Sequence, residues 1–204
     1  MKRLLLLCYA ISSYALGADQ PMQPPSCPVC HGGYLQGNPS LEAPNLSVLP
    51  DWYLRSQLHS FKKNWRSVNS TRSATQDMHA VAAMLSEEDI DHALTFIAAQ
   101  PKRASASLVT GDEKRGEALY AACTACHGPS GAGNAATHAP PLAGQSDWYL
   151  LSQLTGFTAG HRGTHSDDTD GQVMRAAVSA ITSEQDALDI VTYINTLNNG
   201  DTNP

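Results

Sequence analysis

The sequence predicts an all-α protein built from two tandem copies of one small helical domain, and three observations carry that prediction. A five-residue motif occurs twice, as Cys27-Pro28-Val29-Cys30-His31 and as Cys123-Thr124-Ala125-Cys126-His127. At an offset of 96 residues, Pro44 pairs with Pro140, Leu46 with Leu142, Trp52-Tyr53-Leu54 with Trp148-Tyr149-Leu150, and Ser56-Gln57-Leu58 with Ser152-Gln153-Leu154. The same offset pairs Phe61 with Phe157, Arg66 with Arg162 and Met78 with Met174; one extra residue near Thr182 then brings Ser86-Glu87 onto Ser183-Glu184. No stretch alternates apolar and polar residues as a half-buried strand does, whereas both copies end in apolar residues at helical spacing. A repeat of this length is a duplicated domain, not a solenoid unit.

Taken in chain order, residues 1–17 read as a cleavable signal peptide. Lys2-Arg3 forms a short positive region, residues 4–16 an apolar run, and Ala15-Leu16-Gly17 a small-residue cleavage site before Ala18. The run is shorter than the roughly 20 residues a spanning helix needs, so a soluble periplasmic protein with peripheral or no membrane association is expected. Cys8 leaves with the signal. Domain 1 is expected over residues 18–100, a Pro-started polar linker over 101–110, and domain 2 over 111–204. Within the domains, helices are expected over residues 113–126, from residue 51 and its copy 147, and at the end of each domain. The terminal helices carry Ser-x-x-acid starts, Ser86 to Asp89 and Ser183 to Asp186. Along them Ile90, Leu94 and Ile97, then Ala187, Ile190 and Ile194, form one apolar face each.

The paired motif carries the chemistry. Two cysteines separated by two residues and followed at once by histidine suit covalent haem attachment, with both vinyl groups as thioethers and the imidazole turned to the iron. Cys27, Cys30, Cys123 and Cys126 would hold two haem c groups, which leaves no cysteine for a structural disulfide. A zinc ribbon would place its two cysteine pairs about 15 to 20 residues apart, far closer than these, and a dithiol redox motif would follow a strand. Domains of this size bury little core of their own, and a haem supplies much of it. Removing Lys2 and Arg3 leaves eleven cations against nineteen anions, a net charge of −8. That balance argues against nucleic acid and favours partners with a basic docking face.

Each iron needs a second axial ligand. Met78 follows His31 by 47 residues, and Met174 follows His127 by the same 47. Met84 aligns with Ala180 and His79 with Arg175, so neither recurs. His31 and Met78, then His127 and Met174, are therefore the expected ligand pairs. Thioether ligation raises the reduction potential, and a six-coordinate iron has no open site for oxygen or peroxide. This is the chemistry of electron carriage, and it speaks against a haem enzyme with an open iron.

Pro140-Pro141-Leu142-Ala143-Gly144-Gln145, followed by Tyr149-Leu150, Gln153-Leu154, Phe157, Gly160 and Arg162, resembles the central signature of class I cytochromes c. In particular it is similar to the two-domain dihaem cytochromes of the c4 family, over nearly the whole chain after the signal. The resemblance implies two tandem class I cytochrome c domains, each wrapped around one covalent haem. It implies that the Pro44 and Pro140 carbonyls accept the free N–H of His31 and His127, that Leu46 and Leu142 pack on the haem faces, and that Arg66 and Arg162 pair with propionates. Trp52, Trp148, Tyr53 and Tyr149 are expected as core and haem-edge packing. An electron carrier between a quinol-oxidising complex and a terminal oxidase is the implied function, and a dihaem subunit of a periplasmic dehydrogenase is the alternative. One departure stands out. Gly116 and Tyr120 precede the second motif as in the family's crossing of first and last helices, whereas prolines 21, 24 and 25 precede the first. The last helix of domain 1 is therefore expected to be covered partly by domain 2, or to be weakly protected.

Overall fold

A computed structural model describes residues 26–66 and 69–197. The signal peptide, Ala18, the proline-rich segment before the first motif and the tail after residue 197 lie outside the described residues. Domain 1 contains α1 (Cys27–His31), α2 (Asp51–Lys62), α3 (Ser73–Met84) and α4 (Glu87–Ala98). Domain 2 contains α5 (Glu113–Tyr120), α6 (Thr124–His127), α7 (Asp147–Thr158), α8 (Thr169–Ala177) and α9 (Glu184–Thr196). Among the described residues there is no strand. The isolated bridges Asn38–Ala43 and Asn134–Ala139 are copies of each other and pin the same short 3-10 turn after each motif.

Both terminal helices start where the sequence says they should. Ser86 Oγ accepts the Asp89 N–H at 3.1 Å while Asp89 Oδ2 accepts the Ser86 N–H at 2.8 Å. Ser183 and Asp186 repeat the exchange at 3.1 and 3.0 Å. These reciprocal bonds satisfy amides that a helix start otherwise leaves bare. The helix expected over residues 113–126 is instead two helices. The Cys123 N–H bonds to the Tyr120 carbonyl at 2.7 Å, which tightens the chain into a turn that re-aims the motif. The two helices that bear the methionines, α3 and α8, bury one residue each and were not among the expected helices.

Each domain has its own core. Leu35, Leu54, Leu85, Ile90, Leu94 and Ile97 form the first, with Cys27, Leu46, Leu49, Leu58 and Phe96 packed at its edge. Tyr120, Leu150, Ile190, Val191 and Ile194 form the second, with Cys123, Leu142 and Tyr193 among the residues around it. In domain 2, α5 crosses α9 at Gly116, where a Cβ would sit 2.0 Å from the Asp189 carbonyl oxygen. Glycine is what lets the backbones approach so closely. Tyr120 and Tyr193 meet beside the crossing at 5.4 Å between ring centroids. No described helix crosses α4 in this way. Phe96 lies half-buried against its own domain's core, so among the described residues α4 takes its packing from domain 1.

The domains are joined by buried polar contacts. Gln145 donates to the Asn45 carbonyl at 2.8 Å and accepts the Asn45 N–H at 3.0 Å. Asn45 Nδ2 donates to the carbonyls of Arg103 and Gly144, drawing the linker into the junction. Buried Asp147 fastens the end of that linker, its Oδ2 accepting from Ser107 Oγ and from the backbone N–H groups of Leu108 and Val109.

Candidate haem-binding sites

The motif cysteines sit at matched places, Cys27 and Cys30 on α1, Cys123 as the residue before α6 and Cys126 within it. Cys27 and Cys123 are half-buried at the edges of the cores, and Cys30 and Cys126 are exposed. Burial pushes the Cys27 and Cys123 thiols up, with the neighbouring motif cysteine adding to it. A redox dithiol depends on the opposite, a thiol lowered towards thiolate.

His31 and His127 are buried, and the Nδ1 of each lies 2.8 Å from a proline carbonyl, Pro44 and Pro140 respectively. A carbonyl can only accept, so Nδ1 carries the proton and the lone pair is on Nε2. Burial holds both imidazoles below their usual basicity, against the opposing effect of the carbonyl, and so favours the neutral ring that binds a metal. The arrangement therefore suits a covalent haem: per domain, two thiols that can add to its vinyl groups and one oriented neutral imidazole for its iron.

Leu46 and Leu142 lie in the same clusters as Cys27 and Cys123. Met78 is half-buried on α3, which packs on α2; Met174 is half-buried on α8, which packs on α7. Met84, the methionine without a counterpart, is 74% exposed. An open cavity of about 540 Å³ beside α8 is walled by Phe157, Arg175, Val178 and Ile181 among others, but by neither His127 nor Met174.

Arg66 and Arg162 occupy a place that the sequence reading did not foresee. They face each other across the domain junction in a near-symmetric ring. Arg66 donates to Gln57 Oε1 at 2.9 Å in its own domain, and to Gln153 Oε1 at 2.9 Å and Tyr149 Oη at 3.2 Å in the other. Arg162 donates to Gln153 Oε1 at 2.7 Å, and across the junction to Gln57 Oε1 at 2.9 Å and Tyr53 Oη at 3.4 Å. Each guanidinium also lies over a phenyl ring of its own domain, Phe61 at 4.2 Å and Phe157 at 4.5 Å. Two of the three hydrogen bonds that each arginine makes thus cross the interface, a role beyond the expected pairing with propionates. The Nε of both arginines is buried without a partner, and among the described residues no carboxylate forms an ion pair with either. Cations with a buried, unpartnered N–H suit a carboxylate-bearing group. Burial pushes the Tyr149 phenol up, but the Arg66 and Arg162 charges outweigh it and hold the phenol below its usual value. Tyr53, Gln57, Tyr149 and Gln153 were thus missed as interface residues. Their signal was in the repeat: Tyr53, Gln57 and Phe61 recur as a set at i, i+4 and i+8, one helix face.

Two all-helical domains, each with a Cys-x-x-Cys-His motif, a core at its edge and a carbonyl-fixed histidine, define a dihaem class I c-type cytochrome. The cytochrome c family profile matches residues 113–198. Cytochrome c4 of Pseudomonas aeruginosa is 33% identical over 181 residues, covering 82% of this chain and 82% of that protein. The chain belongs to the cytochrome c4 family and is an electron carrier with two covalently bound haem c groups. A thiosulfate dehydrogenase electron acceptor from Stutzerimonas stutzeri strain A1501 is 32% identical over 162 residues, 74% of this chain and 71% of its own. Among solved structures, the as-isolated thiosulfate dehydrogenase TsdBA of Marichromatium purpuratum aligns with a TM-score of 0.67 at 27% identity. That alignment covers 83% of this chain but only 36% of the other, so this chain spans about a third of that structure. Among the described residues no helix is long and apolar enough to cross a membrane.

Proposed function

We propose that the chain works in the periplasm, after loss of residues 1–17, as a two-domain carrier taking electrons from a quinol-oxidising complex to a terminal oxidase. In this reading His31 and Met78 hold the iron of the haem in residues 18–100, and His127 and Met174 hold that in residues 111–204. The observation that carries it is the matched pair of methionines, each 47 residues after its histidine and each half-buried on a helix, while Met84 is exposed. The bound haem supplies a reversible one-electron ferric–ferrous couple. The chain's own residues keep that couple closed to other chemistry. Pro44 and Pro140 fix the imidazole tautomer and so its orientation. Leu46 and Leu142, packed in the two clusters, would close the apolar side of each site against water, and the unpartnered Arg66 and Arg162 Nε–H groups would donate to propionates at the junction. The test is the weak red charge-transfer band of methionine–sulfur ligation in the ferric protein. Both haems are expected to show it, and Met78→Ala and Met174→Ala each to remove one share. A wild-type haem without the band would refute the assignment at that site.

A second reading has a specific observation behind it: the likeness to a thiosulfate dehydrogenase electron acceptor. Here the electron donor is a periplasmic dehydrogenase instead of a quinol-oxidising complex. Capture from native extracts at low salt separates the two, since docking by an acidic carrier weakens as salt screens it. Recovery of a membrane quinol-oxidising complex supports the first reading, and recovery of a soluble dehydrogenase the second.

A further inference from the structure

The two copies hold their methionine helices by different means. Only Ala82 of α3 is buried, so little apolar burial holds this helix in place. Two side-chain ties do so instead. His79, the residue after Met78, has its Nδ1 2.7 Å from the carbonyl of Phe61 in the last turn of α2. Because that carbonyl only accepts, Nδ1 is the protonated nitrogen and donates. Lys62, the last residue of α2, donates from Nζ to the Leu85 carbonyl just beyond α3. The end of α2 is thus bolted to the middle and to the far end of α3.

Domain 2 lacks both bolts. Arg175 replaces His79 and Thr158 replaces Lys62. Thr158 Oγ1 bonds back to the Leu154 and Thr155 carbonyls of its own helix. The second copy has close backbone contact where α8 begins, since a Cβ on Gly163 would lie 2.2 Å from the Gly171 carbonyl oxygen, and a tie from Asp170 to His138 at 3.1 Å, neither of which reaches the end of α7. Domain 1 has Thr75 where domain 2 has Gly171.

We propose that His79 is a positioning residue for Met78, holding α3 to the end of α2 so that the first haem keeps its methionine through a tie the second haem does not use. The inference rests on Met78 being the axial ligand. It predicts that loss of the tie lets the sulfur be displaced more easily, at the first haem alone.

The experiment is imidazole titration of the ferric, haem-loaded full-length protein, followed through the strongly shifted methyl resonance of each ligating methionine. Met78→Ala and Met174→Ala assign the resonances. If Met78→Ala removed neither, the ligand assignment would be wrong irrespective of His79. In His79→Leu the imidazole concentration that displaces half of Met78 should fall about five-fold, the size of one net hydrogen bond, with Met174 unmoved. His79→Asn, whose amide can donate from a similar place, should recover most of the loss. Lys62→Met, which removes the other bolt, should shift the first haem in the same direction. Should His79→Leu fail to take up haem, the Asn and Lys62 variants decide. Equal displacement in wild type and variants, or equal shifts at both haems, overturns the proposal.

Discussion

Arg66 Nη2 and Gln153 Oε1 meet at 2.9 Å across the domain junction, and the copied pair Arg162 Nη2 and Gln57 Oε1 meet at the same 2.9 Å. Each glutamine oxygen also accepts from its own domain's arginine, so one side chain satisfies two cations at once. Gln153→Leu would keep the shape and leave donors of two guanidiniums bare. We expect it to weaken domain docking by about 2–3 kcal/mol, the range for hydrogen bonds to charged groups left unmade. Calorimetry of the loaded protein should then show the two domains unfolding less cooperatively. A single transition unchanged from wild type would rule this role out.

The α5–α9 crossing gives a sharper contrast between glycines. A Cβ on Gly116 would meet the Asp189 carbonyl oxygen at 2.0 Å and its carbon at 2.6 Å, backbone atoms that cannot swing aside. Gly33 has nothing within 4 Å of the same position. Gly116→Ala should therefore destabilise domain 2 by about 3 kcal/mol or more, at the upper end of overpacking costs. Gly33→Ala should be close to neutral. Denaturant unfolding followed at the second haem reads both, and equal effects of the two substitutions would contradict the crossing geometry.

Much of the fold and of the haem sites is legible in the sequence because the repeat supplies its own control. The 96-residue offset separated Met78 and Met174 from Met84, and the Ser86–Asp89 and Ser183–Asp186 starts became the capping boxes observed. Local bonding decides such features, so local sequence reveals them. The methionine helices escaped detection for the converse reason. Ser73–Met84 and Thr169–Ala177 bury one residue each, and they are held by packing on α2 and α7 instead of by a capping signal of the terminal-helix kind. Across the junction the arginine ring joins residues 83 to 109 positions apart, and no local pattern encodes who meets whom over that distance. The recurring Tyr, Gln and Phe on one helix face showed only that the face has a partner.

Domain 2 should also carry an acid-sensitive lock. Asp186 is held down to about 2, first by hydrogen bonds from Thr182, then by Ser183 and Arg115, against an opposing effect of burial. Thr182 donates from its backbone N–H at 2.9 Å and its hydroxyl at 2.8 Å. Arg115 donates to Asp186 and, at 2.6 Å, to Asp189, whose carboxyl is also lowered despite its burial. A carboxylate with a depressed pKa stabilises the fold above its unfolded value near 3.8 and loses that effect as pH falls towards 2. The thermal midpoint of wild type should exceed that of Asp186→Asn by a constant amount above about pH 5, with the gap closing as pH drops through 4 to 2. A gap that stayed constant down to pH 2 would show that Asp186 ionisation is not what matters.

The two capping boxes are alike in geometry but sit in unlike surroundings, and hydrogen exchange can read the difference. Ser86→Ala and Ser183→Ala each remove one cap, worth about 1 kcal/mol. Helix α9 is crossed by α5 and buries Ile190, Val191 and Ile194 beneath it. Its amides should exchange only when domain 2 opens as a whole. No described helix crosses α4 as α5 crosses α9; α4 packs on α2, and its buried Ile90, Leu94 and Ile97 face their own domain's core. Its amides should open locally, at a lower free energy than those of α9. Ser86→Ala should accordingly speed exchange in α4 while leaving α2 unchanged, whereas Ser183→Ala should speed exchange across all of domain 2 together. Native-state exchange of the intact, haem-loaded protein against denaturant is the measurement. Equal protection of α4 and α9, with both substitutions acting domain-wide, would mean that α4 is as well covered as its copy.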